Sequence, residues 1–331
     1  MIKTKLTELF NIDMPIIMAP MFLVSDETMI KAAVKNGIIG TFPTLNYREP
    51  ESLNTVLKNL NRFLSENKNP GTYGVNLITQ KSNPYYKKHL EVCINNKVPF
   101  YITSLGNPKE VIEKAHKYGA NVFCDVTNLK HAEKVVNLGA DGIIAVGQGA
   151  GGHAGPEPLQ ILIPALKEHF PDTIIIAAGG ISTGNSLYSV LILGAAGASI
   201  GTSFIATEEA PVSNDYKNAV VNAKAEDIVM TTRISGTPST IINTDYAKKI
   251  GYRQNWFERK LSQNPRTKKY FKMLIQVKGM KKLEKSVKPG NYKNLWIAGK
   301  SVQFINEILS IKNRISKIKK ELEESISLNN P

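Results

Sequence analysis

The sequence predicts an α/β protein, a closed (β/α)8 barrel interrupted after its eighth strand by a second, basic region. Three observations predict it. A short apolar run rich in Ile, Val and Phe, then a polar or glycine-bearing turn, then a stretch of helical periodicity recurs through the first two-thirds of the chain. Eight such runs occur, their starts 20 to 35 residues apart, the spacing of βα units. The composition then changes: Arg253 to Lys288 holds 12 Lys and Arg against two acids, Glu258 and Glu284, before apolar character returns at Leu295–Gly299.

The runs are Pro15–Ala19, Ile38–Phe42, Tyr73–Ile78, Phe100–Ser104, Val122–Val126, Gly142–Val146, Thr173–Ala178 and Ala198–Phe204. Unbroken apolar runs suit strands covered on both faces, and parallel neighbours require a crossover, usually helical. Helix starts are marked by Ser25, by Asn107-Pro108 and by Ser182/Thr183, and helix ends by Gly37, Gly119, Gly139 and Gly194. An open doubly wound sheet is the structural alternative. The barrel is expected over 1–210 with a return over 300–331, leaving 211–299 as the second region. Phe304, Ile308, Ile311, Ile315, Ile318 and Leu322 form an apolar seam along a closing helix, suited to packing on the barrel or to a homodimer.

Composition narrows the function classes. The chain has 331 residues, 42% of them hydrophobic and 21% charged, which is globular composition. Cys93 and Cys124 are too sparse for a disulfide framework or a zinc cluster, and no metal site is expected. Met1–Phe10 lacks the continuous apolar stretch of a signal peptide, and Leu187–Gly201 falls short of a membrane span, so a soluble, cytoplasmic protein is expected. The net charge of +14 comes without a nucleic-acid-binding motif, so nucleic acid is not an expected partner.

In such a barrel the chemistry sits on the turns that follow the strands. The seventh and eighth runs lead into Ala178-Gly179-Gly180-Ile181 and Ile200-Gly201-Thr202-Ser203, where glycines let backbone N–H groups approach an anion and the helix opening at Thr183–Asn185 adds its positive end. The sixth leads into Gly147-Gln148-Gly149-Ala150-Gly151-Gly152-His153-Ala154-Gly155-Pro156. His153, the one histidine among glycines, suits a general base or hydrogen-bond donor; His89, His116, His131 and His169 read as surface residues of lysine-bearing helices. Met18-Ala19-Pro20-Met21 could floor a planar ligand through its backbone or be plain core, and Asn76 could pair with a ligand or with the core.

Taken together and in order, Met18–Met21, Gly74-Val75-Asn76, Ala150-Gly151-Gly152-His153-Ala154-Gly155, Ala178–Ile181 and Gly201-Thr-Ser-Phe-Ile-Ala-Thr-Glu-Glu209 resemble the nitronate monooxygenases, formerly 2-nitropropane dioxygenases. The flavin-dependent enoyl-acyl-carrier-protein reductases share that scaffold. The resemblance covers essentially the whole chain, since Leu295–Lys300 also matches the family's closing segment. It implies FMN as cofactor, a TIM barrel, and a smaller, mainly helical lid domain over the flavin at 211–299. The isoalloxazine would lie against Ala19, Pro20 and Met21, with Asn76, Gly151 and Gly152 at its head. Gly179 and Gly180 with Ser199, Ile200, Gly201 and Thr202 would hold the phosphate, and His153 matches the catalytic histidine. This chain departs from the family at Val146 and Gly149, where a Gln and a Glu are usual, and at Lys300, where many members carry Gln.

The implied reaction is oxidation of an alkyl nitronate, or of a nitroalkane deprotonated by His153, by O2 through the flavin. An NAD(P)H-dependent reductase of an enoyl-acyl-carrier protein, another enoyl thioester or a quinone is the alternative, and a non-catalytic binding protein on the same barrel is a third reading. A basic lid would suit an acidic or phosphorylated partner.

Overall fold

The computed structural model describes residues 2–66, 70–80, 82–232, 238–253 and 294–329. Eight strands close a wholly parallel barrel: β1 (Ile16–Met18), β2 (Ile39–Pro43), β3 (Thr72–Ile78), β4 (Phe100–Ser104), β5 (Asn121–Val126), β6 (Gly142–Val146), β8 (Ile174–Ala178) and β9 (Gly197–Ile200). β1 pairs with both β2 and β9, so no sheet edge remains in the ring. All eight apolar runs carry strands, the first, the seventh and the last of them shorter than the run. The eighth ends at Ile200, whose ladder partner Met18 is the last residue of β1, and Thr202–Ile205 winds instead into the helix α9.

Between strands lie α2 (Glu27–Lys35), α3 (Pro50–Glu66), α4 (Tyr86–Asn95), α5 (Lys109–Ala115), α6 (Leu129–Val136), α7 (Leu159–His169) and α8 (Gly184–Ile192). Asp26, not Ser25, caps α2: its carboxylate accepts from the Met29 N–H at 3.0 Å, while the Ser25 hydroxyl is taken by the Met21 N–H at 2.9 Å. Thr183 caps α8 in a reciprocal box with Ser186. The glycines at 37, 119, 139 and 194 all have φ between +74° and +103°, the left-handed turn that lets a helix stop and the next strand begin.

Phe10 of α1 (Lys5–Phe10) plugs the lower end of the barrel, edge-on to Phe100 and Phe123 at 4.9 and 6.1 Å between ring centres. Ile17, Ile39, Ile102, Ile144 and Ile176 complete this inner layer. Because side chains alternate along a strand, the next inward positions are fixed: Asn76, Ser104, Asp125, Val146 and Ala178 form the upper layer. The barrel is therefore dry below and polar on one side above.

The closing helix α12 (Ile311–Asn329) packs against α8 and α2, the place of an eighth barrel helix. Ile311, Ile315, Ile318 and Leu322 are buried there, so that seam is spent on the barrel and not on a second copy. Phe304 and Ile308 lie outside it, ahead of the helix, and Phe304 is 58% exposed. Both oxygens of Glu209 accept from the Ile311 N–H, at 2.9 and 3.0 Å, which satisfies an unpaired donor at the helix start.

Beyond α9 come α10 (Asn214–Asn222), β10 (Ile228–Thr231), β11 (Ser239–Ile242) and α11 (Asp245–Ile250). Helix is thus joined by an antiparallel sheet that the mainly helical expectation did not contain. β11 pairs with β10 on one side and with a two-residue strand, β7 (Gly152–His153), on the other. Trp296 stacks on Tyr216, ring centres 5.5 Å apart, at the foot of this sheet. Of the basic run 253–288, all but Arg253 lies outside the described residues.

Candidate active site

The loop leaving β6 is tied down along its length. Gly147 donates to Ala178 O at 2.9 Å, Gln148 to Glu157 O at 2.9 Å, and the Thr240 hydroxyl to Ala150 O at 2.7 Å. Pairing of Gly152 with Thr240 and of His153 with Ser239 then fixes the histidine on a strand. His153 is exposed at the surface, with protein packed closely around it. That crowding removes water and holds its pKa below the usual value, so the imidazole is neutral at neutral pH and able to take a proton.

Glycines bring three loops together backbone to backbone. A Cβ on Gly149 would stand 2.8 Å from Gly180 N, one on Gly179 2.6 Å from Ala150 N, and one on Gly151 2.9 Å from Gly299 N. Gly179 and Gly180 also hold φ of +114° and +77°. Among the described residues, the N–H groups of Gly179, Gly180, Ile181 and Gly201 have no acceptor. Several such donors gathered on two glycine turns make a cradle that an anion such as a phosphate fits. The positive end of α8 does not add to it as the sequence suggested. Ser182 and Thr183 donate to Ser186 Oγ, and Gly184 donates to Glu321 Oε2 at 2.7 Å, so that end is already satisfied by a carboxylate.

The expected floor and the expected phosphate turns meet at the seam where β1 joins β9. Ala19 N donates to Ile200 O at 2.8 Å, and a Cβ on Gly201 would lie 3.5 Å from Ala19 Cβ and 3.7 Å from Met21 Sδ. Asn46 Nδ2 holds the carbonyls of Met21 and Ser25, which shapes the 19–25 turn; Pro20 lies within it. The Ser199 and Thr202 side chains are nearly buried, Thr202 Oγ1 accepting from Gly299 N at 3.0 Å, and the Ile200 side chain is core. Ile200 therefore offers only its backbone. Val146 packs on the barrel interior, and Lys300 is exposed.

On the opposite wall is a chain of three side chains, of which sequence reasoning named only Asn76. Asn76 Nδ2 donates to Ser104 Oγ at 2.7 Å and to Ile102 O at 3.3 Å, and Ser104 Oγ donates to Asp125 Oδ2 at 2.6 Å. Loss of hydration pushes the Asp125 carboxyl up to about 6, the Ser104 hydrogen bond opposing the shift. The signal was available: Asp125 shares strand parity with the inward Phe123, and Ser104 shares it with Phe100 and Ile102. Of the other histidines, His89 is a correction. It is fully buried on α4, stacked on Tyr85, with Nε2 2.9 Å from Arg48 O. His116, His131 and His169 have exposed surfaces, His116 pairing with Asp141 at 2.9 Å. Among the described residues no three His, Cys, Asp or Glu gather to hold a metal, and no helix is long and apolar enough to cross a membrane.

Known proteins resemble the chain at both sequence and fold level. The family model for nitronate monooxygenase matches residues 3–321. A 5-hydroxy-7a-methyl-1-oxo-octahydro-1H-indene-4-carboxyl-CoA dehydrogenase of Rhodococcus jostii is 28% identical over 256 residues, 77% of this chain and 69% of the relative. A probable nitronate monooxygenase of Staphylococcus saprophyticus is 31% identical over 53% of this chain and 52% of its own length. The structure of FabK from Thermotoga maritima superposes with a TM-score of 0.84 at 27% identity, over 99% of both chains. A nitroalkane oxidase from Streptomyces ansochromogenes shares the fold, with a TM-score of 0.81 at 22% identity over 98% of this chain and 99% of its own.

Proposed function

The chain belongs to the nitronate monooxygenase family, and from that premise we propose that it is an FMN-dependent oxidoreductase that oxidises alkyl nitronates with O2. The observation that carries the reading is the acceptorless N–H cradle at Gly179, Gly180, Ile181 and Gly201, set beside the Ala19–Met21 seam and under the strand that bears His153. The cradle fits a phosphate monoester such as that of FMN. Gly179, Gly180 and Gly201 would hold it by backbone N–H groups, with Ser199, Ile200 and Thr202 shaping the seam. Ala19, Pro20 and Met21 would support the ring, and Asn76, Gly151 and Gly152 its head. Once bound, FMN supplies the two-electron redox capacity that no side chain here has.

The protein's own part is orientation and one proton. A neutral imidazole at residue 153 can take the proton from the α-carbon of a nitroalkane, leaving the C–H electron pair on the substrate as the nitronate. A pre-formed nitronate needs no such step. His153→Asn is therefore expected to lower turnover of neutral nitroalkanes by about 10²- to 10⁴-fold while sparing nitronates. Steady-state rates on the matched pair of substrates check this, and equal loss on both would remove the base role.

We assign 1–210 and 300–331 to the barrel and 211–299 to a lid. A basic run on that lid suits an acidic or phosphorylated partner, and the free, buried Cys93 and Cys124 accord with a cytoplasmic protein. A second reading, an NAD(P)H-driven reductase of an enoyl thioester or quinone, draws support from the FabK likeness and from the CoA-thioester relative. Purified protein without yellow flavin would refute both.

A further inference from the structure

The Asn76–Ser104–Asp125 chain is left unused by the reading above. It crosses the upper layer of three adjacent strands, β3, β4 and β5, and its two ends are open. Among the described residues, Asn76 Oδ1 accepts no hydrogen bond, and Asp125 Oδ1 has no partner. Every other member is committed. Both Asn76 N–H groups are spent, on Ser104 and on Ile102 O, and the Ser104 proton is spent on Asp125.

The direction of these bonds is set by Asp125. Its Oδ2 accepts the Ser104 proton, which leaves the Ser104 oxygen to accept from Asn76 Nδ2, so Asn76 can offer a ligand only its carbonyl oxygen. Without an acceptor at residue 125 the Ser104 proton turns toward Asn76, where it meets an N–H group. Relief by flipping the amide would set Oδ1 against Ile102 O, two acceptors face to face. Either outcome loses a buried hydrogen bond.

We propose that Asp125 is a positioning residue: as a carboxylate it holds Asn76, through Ser104, as a hydrogen-bond acceptor toward the ring N–H of the bound flavin. The proposal rests on the flavin reading. An oxidised isoalloxazine has one ring N–H, flanked by two carbonyls, so a wall that offers an acceptor selects that edge and sets the ring's orientation. The strand neighbours of Asp125 carry no charge of their own. β4 brings Ser104 and Thr103 to its level, and β6 brings Ile144 and Val146, all uncharged. Cys124 beside it is pushed up to about 12 and stays a thiol. His131 at the head of α6, 3.2 Å from Thr127 Oγ1, and His153 on β7 are the titratable groups of the flanking loops.

The test is the FMN dissociation constant of the apoprotein at neutral pH, read by quenching of flavin fluorescence. Asp125→Asn keeps an acceptor for Ser104, so its affinity should match the wild type. Asp125→Val removes the acceptor and should bind about tenfold more weakly, the loss of one buried hydrogen bond; circular dichroism of each variant confirms folding. Asp125→Val binding as tightly as the wild type, or Asp125→Asn binding as weakly as Asp125→Val, would overturn the proposal while leaving flavin binding intact. No flavin binding by any of the three would overturn both.

Discussion

Asp125 and His153 are opposite cases of one physical effect. Each is short of water, and desolvation favours the neutral form: it lifts the acid and lowers the base. For His153 the sign is favourable. Its pKa lies below the ordinary 6.5, so deprotonation of neutral nitroalkanes should hold at neutral pH and fall only as acid protonates the ring, whereas turnover of nitronates should not follow that limb. For Asp125 the sign is costly. With the pKa raised to about 6, the folded state binds more protons than the unfolded state between the two pKa values. Stability therefore declines as pH rises through that window and stays reduced above it, by up to roughly 3 kcal/mol. Asp125→Asn should accordingly raise the melting temperature of the apoprotein at pH 7 and not at pH 4. Equal melting temperatures at both pH values would show that the carboxylate costs nothing. A destabilising charge inside an otherwise apolar strand is the pattern of a residue kept for function.

Among the elements, the barrel strands were legible because both of their faces are covered, so each reads as an unbroken apolar run. Helix ends were legible where glycine takes the left-handed turn. Three things were not. β7 is two residues long and has no periodicity; it exists because β11 pairs with it from more than 80 residues away in sequence. His89 was misread as a surface residue although Tyr85 and Cys93 stand four residues to either side of it, on one helical face directed inward. Asp125 was passed over because a single acid does not break a hydrophobic run; only strand parity, anchored on Phe123, shows that it points into the mouth. Of the predicted site, the histidine and the glycine turns were legible as motifs, while their mutual packing was not. That packing is testable at Gly149, where a Cβ would meet the backbone of Gly180. Gly149→Ala should cost about 1–3 kcal/mol of stability and weaken FMN binding together, measured by chemical denaturation and by flavin titration. Unchanged flavin affinity would show that the two loops do not share a ligand.

At the scale of the whole molecule, the excess charge of +14 becomes a local matter. Twelve of the 42 Lys and Arg lie between Arg253 and Lys288, in the stretch assigned to the lid. The barrel supplies the N–H cradle and the 19–21 turn; the chain beyond α9 supplies β11, which holds His153 in place, and returns through Trp296 and Gly299 to the glycine loop after β6 and to Thr202. His153 and the glycine turns are thus both held by the chain beyond α9. The family alone does not choose between an oxidase and a reductase on this framework. Anaerobic rapid mixing does, by following the flavin absorbance of the purified holoprotein. Bleaching by propionate 3-nitronate, with NADH and NADPH slow or inert, is the result expected of a nitronate monooxygenase. Rapid bleaching by either nicotinamide, with the nitronate inert, would contradict it.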